Sequence, residues 1–322
     1  MDRRILWLAL LRCSLLLILT LPAGCAAPAP ISTPAPTGTP KPAAPFGPFR
    51  GLALDSQGRI YVSDEQNSRI VRLDDMSGAG MTTFGTKGDG VGQFFVPIGI
   101  AIDPTGRIYV ADCGNNRIVR MDDMAGSNWV TYNGFGQLSC PFGIAFDAAG
   151  RIYFTDGENG RIVRIDDMTG GNWVTCGSEG NGVGQFYLLQ AIFVDAAGRI
   201  YVDDPGNIRV VRIDDMSGRN WTSFGSSGIE RGQFTWPAMG LWVDGAGRIY
   251  VSDWTSHFVA RFDDMAGSNW VKFGTLGSGT GQFNAPCAVV LDSAGGIYVA
   301  DSYNKRIVRV DDMNGTNWTT FP

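Results

Sequence analysis

Two aspartates nine residues apart recur six times along the chain, and this spacing constrains the fold more than any other feature. The first members are Asp55, Asp103, Asp147, Asp195, Asp244 and Asp292; the second are Asp64, Asp112, Asp156, Asp204, Asp253 and Asp301. Successive units lie 44 to 49 residues apart. That is the length of a four-stranded propeller blade and exceeds the shorter helical and leucine-rich repeats. Inside each unit, short runs of Ile, Val, Tyr and Phe alternate with clusters of Gly, Asp, Asn and Ser, the pattern of strands and turns, and no helical period of useful length appears.

The unit therefore predicts an all-β chain: a six-bladed β-propeller of four-stranded antiparallel blades over 46–322, with blades near 46–93, 94–136, 137–185, 186–233, 234–282 and 283–322. In the first blade, strand a is expected near 52–55, b at 59–64, c at 69–74 and d near 81–84. Trp129, Trp173, Trp221, Trp270 and Trp318 open strand d in the later blades and are expected to pack between neighbours. The Asp-Asp pair between c and d suits a hairpin turn and lacks the alternating ligands and bidentate Glu of a calcium loop.

The motif is similar to the NHL repeat, whose units form six-bladed propellers. The matching residues are the Gly-Arg-Ile-Tyr-Val-x-Asp block, the Asn at 67, 115, 159, 207 and 304, the Arg-Ile-Val-Arg that follows, and Gly-Gln-Phe ending at Phe94, Phe186, Phe234 and Phe283. Each unit supplies strands a to d in order, so the ring is expected to close without strand exchange, by packing of the sixth blade on the first.

Ahead of the repeats, residues 1–24 read as an export signal, with Arg3 and Arg4 before an apolar run. The run ends in Leu21-Pro22-Ala23-Gly24-Cys25, which resembles a bacterial lipobox with Pro22 where that motif prefers Leu. Lipidation at Cys25 is the expectation, with plain secretion the alternative; the protein would sit on the outer face of a bacterial membrane. Residues 25–45, rich in Pro, Ala and Thr, read as an extended tether.

Of the 31 acidic residues, 24 occupy the four repeat aspartates of each unit. Glu65, Asp89, Glu158, Glu179, Asp203 and Glu230 depart from the repeat, and all fall on or beside the b-to-c and d-to-a loops. That rim is the expected binding face. Blade five departs most: its b-to-c loop reads Asp253-Trp254-Thr255-Ser256-His257-Phe258, and its inner strand carries Trp242 where others have Ala53, Ala101 or Ala145. Trp254, His257, Tyr303, Asp203, Trp236, Trp242 and Phe193 are the candidates for an aromatic, partly acidic depression; the competing expectation is that Trp242 and Phe193 fill the central channel.

His257 is the single histidine. A structural role is expected for it. If the protein is an enzyme, His257 would act with Glu158, Asp203 or Glu65, as a lyase or hydrolase of an extracellular or envelope substrate. A zinc site of several histidines cannot be assembled from one, so no metal and no cofactor is expected. Among the cysteines, Cys113 and Cys140 fall on one rim of adjacent blades and are candidates for a disulfide; Cys176 reads as core and Cys287 as a thiol near the channel mouth.

Without Asp2, Arg3, Arg4 and Arg12 the balance is 23 basic against 30 acidic residues. Phosphate binding rests on Lys and Arg, and most of these cations occupy repeat positions beside scaffold aspartates, so nucleic acid is not expected. The reading is a monomer, touching membrane only through its lipid, that binds a protein, peptide or glycan on the b-to-c rim without chemistry.

Overall fold

The computed structural model describes residues 46–322; the side chains of 237–239 are not described. The signal, Cys25 and the tether lie outside the described residues. Six four-stranded antiparallel sheets follow one another, each taking four consecutive major strands of the chain. In the first blade these are Gly51–Leu54, Ile60–Asp64, Arg69–Leu73 and Thr82–Phe84. Strand b is buried along its length in every blade. Strand c alternates partly exposed Arg with buried Ile and Val in all but the fifth blade. No helix among the described residues is long and apolar enough to cross a membrane.

Two turns recur because one aspartate organises each of them. In the a-to-b turn, Asp103 Oδ1 accepts the amides of Thr105 and Arg107, while Oδ2 accepts Arg107 Nε at 2.6 Å. The following Gly106, at φ +88°, completes a turn that residues with a Cβ rarely adopt. In the c-to-d turn, Asp123 Oδ1 accepts the amides of Ala125 and Ser127, and Asn128 Nδ2 donates to Asp122 Oδ2 at 2.6 Å. Both are side-chain-stabilised turns.

The blades pack through their aromatic residues. Trp129 of blade two lies 6.1 Å from Phe84 of blade one and 5.3 Å from Phe94; Trp270 and Trp318 repeat the arrangement with Phe224, Phe234, Phe273 and Phe283. The seam closes the same way. Phe46 and Phe49 are buried in one cluster with Ala288, Val290 and Ile307 of blade six, and Phe46 meets Phe321 edge-on at 5.7 Å. Blade six supplies all four of its own strands, so the ring closes by side-chain packing.

The d-to-a loops were not legible as structure in the sequence. After blades one, three, four and five they fold into two-residue parallel ladders such as Thr86–Lys87 with Gln93–Phe94. Between blades two and three the loop is shorter and holds a 3-10 turn at Gly134–Gly136 instead. There Cys113 and Cys140 form a disulfide with their Cα atoms 4.1 Å apart, joining the two blades.

Candidate functional site

The b-to-c and d-to-a loops share one rim. Gly114, Gly206 and Tyr303 of b-to-c loops donate their amides to the carbonyls of Phe95, Tyr187 and Asn284 in the preceding d-to-a loops. A buried aspartate sets this rim. Asp112 accepts the Phe95 amide at 2.7 Å, Asn115 Nδ2 at 2.7 Å and Arg117 Nε at 2.8 Å. Asn115 and Arg117 then donate onward to Gly88, Asp89 and Gln93 carbonyls in the loop arriving from blade one. Burial pushes the carboxyls of Asp112, Asp204 and Asp301 up, partly offset by the Asn, amide and Arg bonds. The Asn and Arg of the repeat are thus loop clamps, and these arginines are engaged with scaffold carboxylates and carbonyls.

Blade five replaces this clamp. Asp253 instead accepts the amides of Thr235 and Ser256 and the Thr235 hydroxyl. Phe258 stands at the arginine position, and Lys272 takes over the loop, its Nζ 5.5 Å from the Phe258 ring and donating to the Ile229 carbonyl at 3.0 Å. His257 sits at φ +61° and accepts the Ala285 amide through Nδ1 at 3.1 Å. Burial holds its imidazole below the ordinary value against the opposing pull of Asp253 and Asp301.

This geometry does not bring the candidate catalytic residues together. Glu65, Glu158, Asp203 and His257 belong to four different blades. Glu65 pairs with Arg50 at 2.5 Å; Glu158 accepts the Ser139 hydroxyl at 2.7 Å; Asp203 is fully buried in strand b of blade four; His257 is turned into the contact with blade six. Proton transfer requires hydrogen-bond reach between partners; the bond described for His257 is the one to the Ala285 amide. Among the described residues, no group of three or more His, Cys, Asp or Glu is placed to hold a metal ion.

The expected aromatic depression also divides. Trp254 and Tyr303 meet edge-to-face at 5.7 Å on the b-to-c rim, and Tyr303 is 51% exposed. Trp236 lies beneath them, its carbonyl accepting the Trp254 amide at 3.3 Å. Phe193 and Trp242 sit elsewhere, 5.1 Å apart, in inner strands one residue from the a-to-b turns. The seam adds residues that the sequence did not single out. Arg50 is the one charged residue among the described residues lining the channel cavity; burial opposes its charge, yet Glu65 beside it holds the guanidinium above its ordinary value. Its field also reaches Cys287, whose thiol burial pushes up to about 12.

The channel is layered by register. Nearest the b-to-c rim, Gly51, Gly99, Gly143 and Gly240 let neighbouring strands touch: a Cβ at Gly99 would collide with the Phe142 carbonyl, and one at Gly143 would lie 2.6 Å from the Gln190 carbonyl. Hydroxyls bridge the strands at this level. Ser63 Oγ accepts the Gly51 amide at 2.8 Å and donates to the Ile98 carbonyl, as Thr155 does between Gly143 and Gln190. Asp203 occupies the equivalent position in blade four. Further in, Ala53, Ala101, Ala145, Phe193, Trp242 and Val290 form one layer, each paired with a strand-b tyrosine. A cavity of about 230 Å³ runs along this layer between apolar walls. Backbone packing thus separates the Trp254–Tyr303 rim from the aromatic end of the channel.

Residues 96–121 match the family model of the NHL repeat. The chain carries an NHL repeat there. Solved structures similar to this propeller share its fold at low identity. Virginiamycin B lyase from Staphylococcus aureus aligns with TM-score 0.60 and 16% identity over 85% of this chain and 84% of that one. A gluconolactonase from Xanthomonas campestris aligns with TM-score 0.60 and 15% identity, covering 80% and 84%. A chain of the nidogen/laminin complex aligns with TM-score 0.55 and 23% identity, covering 68% and 77%. No curated protein is significantly similar to this chain in sequence.

Proposed function

We propose that this NHL propeller is a non-catalytic recognition module that binds a protein, peptide or glycan on its b-to-c rim, at the Trp254–Tyr303 pair. The supporting observation is that edge-to-face pair, its Tyr303 half exposed, on a rim whose other repeat residues are engaged in clamping loops. Aromatic faces supply large contact area with a polar tip. The export signal, Cys25 and the proline-rich tether belong to the same proposal: a lipid-held domain displayed outside the cytoplasmic membrane, acting as a monomer.

Peptide and glycan arrays probed with the purified chain test the reading. A ligand retained by the wild type and lost with Trp254→Ala and Tyr303→Ala supports it; retention by both variants sends the site elsewhere. Conversion of the bound ligand would replace it with the second reading, a lyase or hydrolase. Radiolabelled palmitate incorporated by the wild type and absent from Cys25→Ser tests the anchor.

A further inference from the structure

The opposite face breaks the repeat in two places that meet. In blades one to five the first aspartate is held by the arginine four residues on, at 2.6 Å each: Asp55–Arg59, Asp103–Arg107, Asp147–Arg151, Asp195–Arg199 and Asp244–Arg248. Blade six has Gly296 at that position. The nearest guanidinium to Asp292 is Arg309, at 4.0 Å, and Arg309 is itself held by Asp311 at 2.6 Å. The Asp292 side chain is accordingly 20% exposed, against 3–11% for its five counterparts. In blades one to five that carboxylate has an arginine of its own, whereas in blade six Arg309 stands near both Asp292 and Asp311.

The second break is the channel layer, where small residues in blades one to three face Phe193 and Trp242. Trp242 lines the 230 Å³ channel cavity. It also lines a separate cavity of about 520 Å³ between the a-to-b turns of blades five and six, together with Asp244, Arg248 and Asp292. One indole therefore stands between an apolar slot and an under-neutralised carboxylate.

We propose that this face holds a second binding site, for a hydrophobic primary amine: an aromatic or short alkyl body in the channel against Phe193 and Trp242, and an ammonium at Asp292. An apolar cavity of this size holds little ordered water and takes apolar groups readily. The alanine layer leaves the room that the aromatic pair bounds. A cation beside an indole gains from its ring face, and here it would restore the charge that Gly296 removed. A carboxylate ligand would meet Asp292 and Asp244 instead and be rejected.

The test uses the whole chain and three probes of one shape, 2-phenylethylamine, 2-phenylethanol and phenylacetate, followed at the Trp242 indole N–H signal in NMR spectra. That signal is assigned with Trp242→Phe. The amine is expected to shift it saturably with a Kd at least tenfold below that of the alcohol, and phenylacetate to leave it unmoved. Asp292→Asn should erase the difference between amine and alcohol, and Gly296→Arg, which supplies an internal cation, should do the same. Ala145→Leu should abolish binding of all probes by filling the channel; if that variant fails to fold, the two charge variants decide alone. Equal Kd values for amine and alcohol, or no saturable shift with any probe, would overturn the proposal. Trp254→Ala should leave amine binding unchanged, which keeps this site distinguishable from the rim.

Discussion

His257 Nδ1 accepts the Ala285 amide at 3.1 Å across the junction of blades five and six, and Asn116 Oδ1 accepts the Cys140 amide at 2.9 Å across the junction of blades two and three. Both residues stand at the left-handed position of the b-to-c loop, at φ +61° and +52°. Asn is among the side chains that tolerate this region. His257→Asn should therefore preserve stability within about 0.5 kcal/mol, whereas His257→Ala, which strands a partly buried amide, should cost about 1–3 kcal/mol. Urea denaturation of the two variants checks this.

The same bond predicts a pH effect. Burial lowers the folded-state affinity of His257 for a proton, so the unfolded chain binds more protons in the window below its ordinary value of about 6.5, and stability rises with pH there. The contribution is complete above that value and is lost as pH falls through the lowered folded one. Wild type should lose stability relative to His257→Asn between pH 7 and 5; parallel curves would contradict the assignment.

The Cys113–Cys140 bond closes a separation of 27 residues, for which loop entropy gives about 3–4 kcal/mol. Reduction, or Cys113→Ser with Cys140→Ser, should lower the unfolding midpoint by several degrees in calorimetry. The Cys176 and Cys287 thiols, both buried, should resist alkylation in the native chain and react after denaturation.

Glycines of the inner strands should divide by what surrounds them. Gly99→Ala drives a Cβ into the Phe142 carbonyl and should destabilise by at least about 1–3 kcal/mol, as overpacking does. Gly245, with nothing within 4 Å and no left-handed backbone, should accept Ala with a gain of about 0.4–1 kcal/mol. Thermal unfolding of both variants measures the contrast.

Asp112, fully buried, holds an amide, an amide side chain and a guanidinium at once. Asp112→Ala should cost about 3–5 kcal/mol, the penalty for removing one partner of a buried ion pair, and should raise hydrogen exchange in the loop from Thr86 to Phe94.

The blade architecture was legible because its signals are local: paired aspartates, strand-b Ile-Tyr-Val and turn residues each act within a few positions. Face assignment was legible for the same reason, since alternating loops must fall on alternating rims. The site was less so. Trp242 and Trp254 lie 12 residues apart in one blade, and only strand direction separates them onto opposite ends, a step the grouping by composition overlooked. Arg50 was missed because it stands just ahead of the first inner strand, outside the repeated motif, and its partner Glu65 is 15 residues away. Gly296 was readable, as Gly295-Gly296-Ile297-Tyr298 in place of Gly-Arg-Ile-Tyr, but an omitted side chain is quieter than an added aromatic.

The shortened loop between blades two and three has a consequence for how such a chain finds its fold. Four of the six units carry the same Arg-Ile-Val-Arg strand, and near-copies in tandem invite exchange of one copy for another during folding. Only one junction has both the short loop and the cysteines flanking it. A ring in which blades two and three are not neighbours would leave those thiols apart, so the covalent bond acts as a bookmark of that one junction. Oxidation would then tell a correct second junction from a misthreaded one.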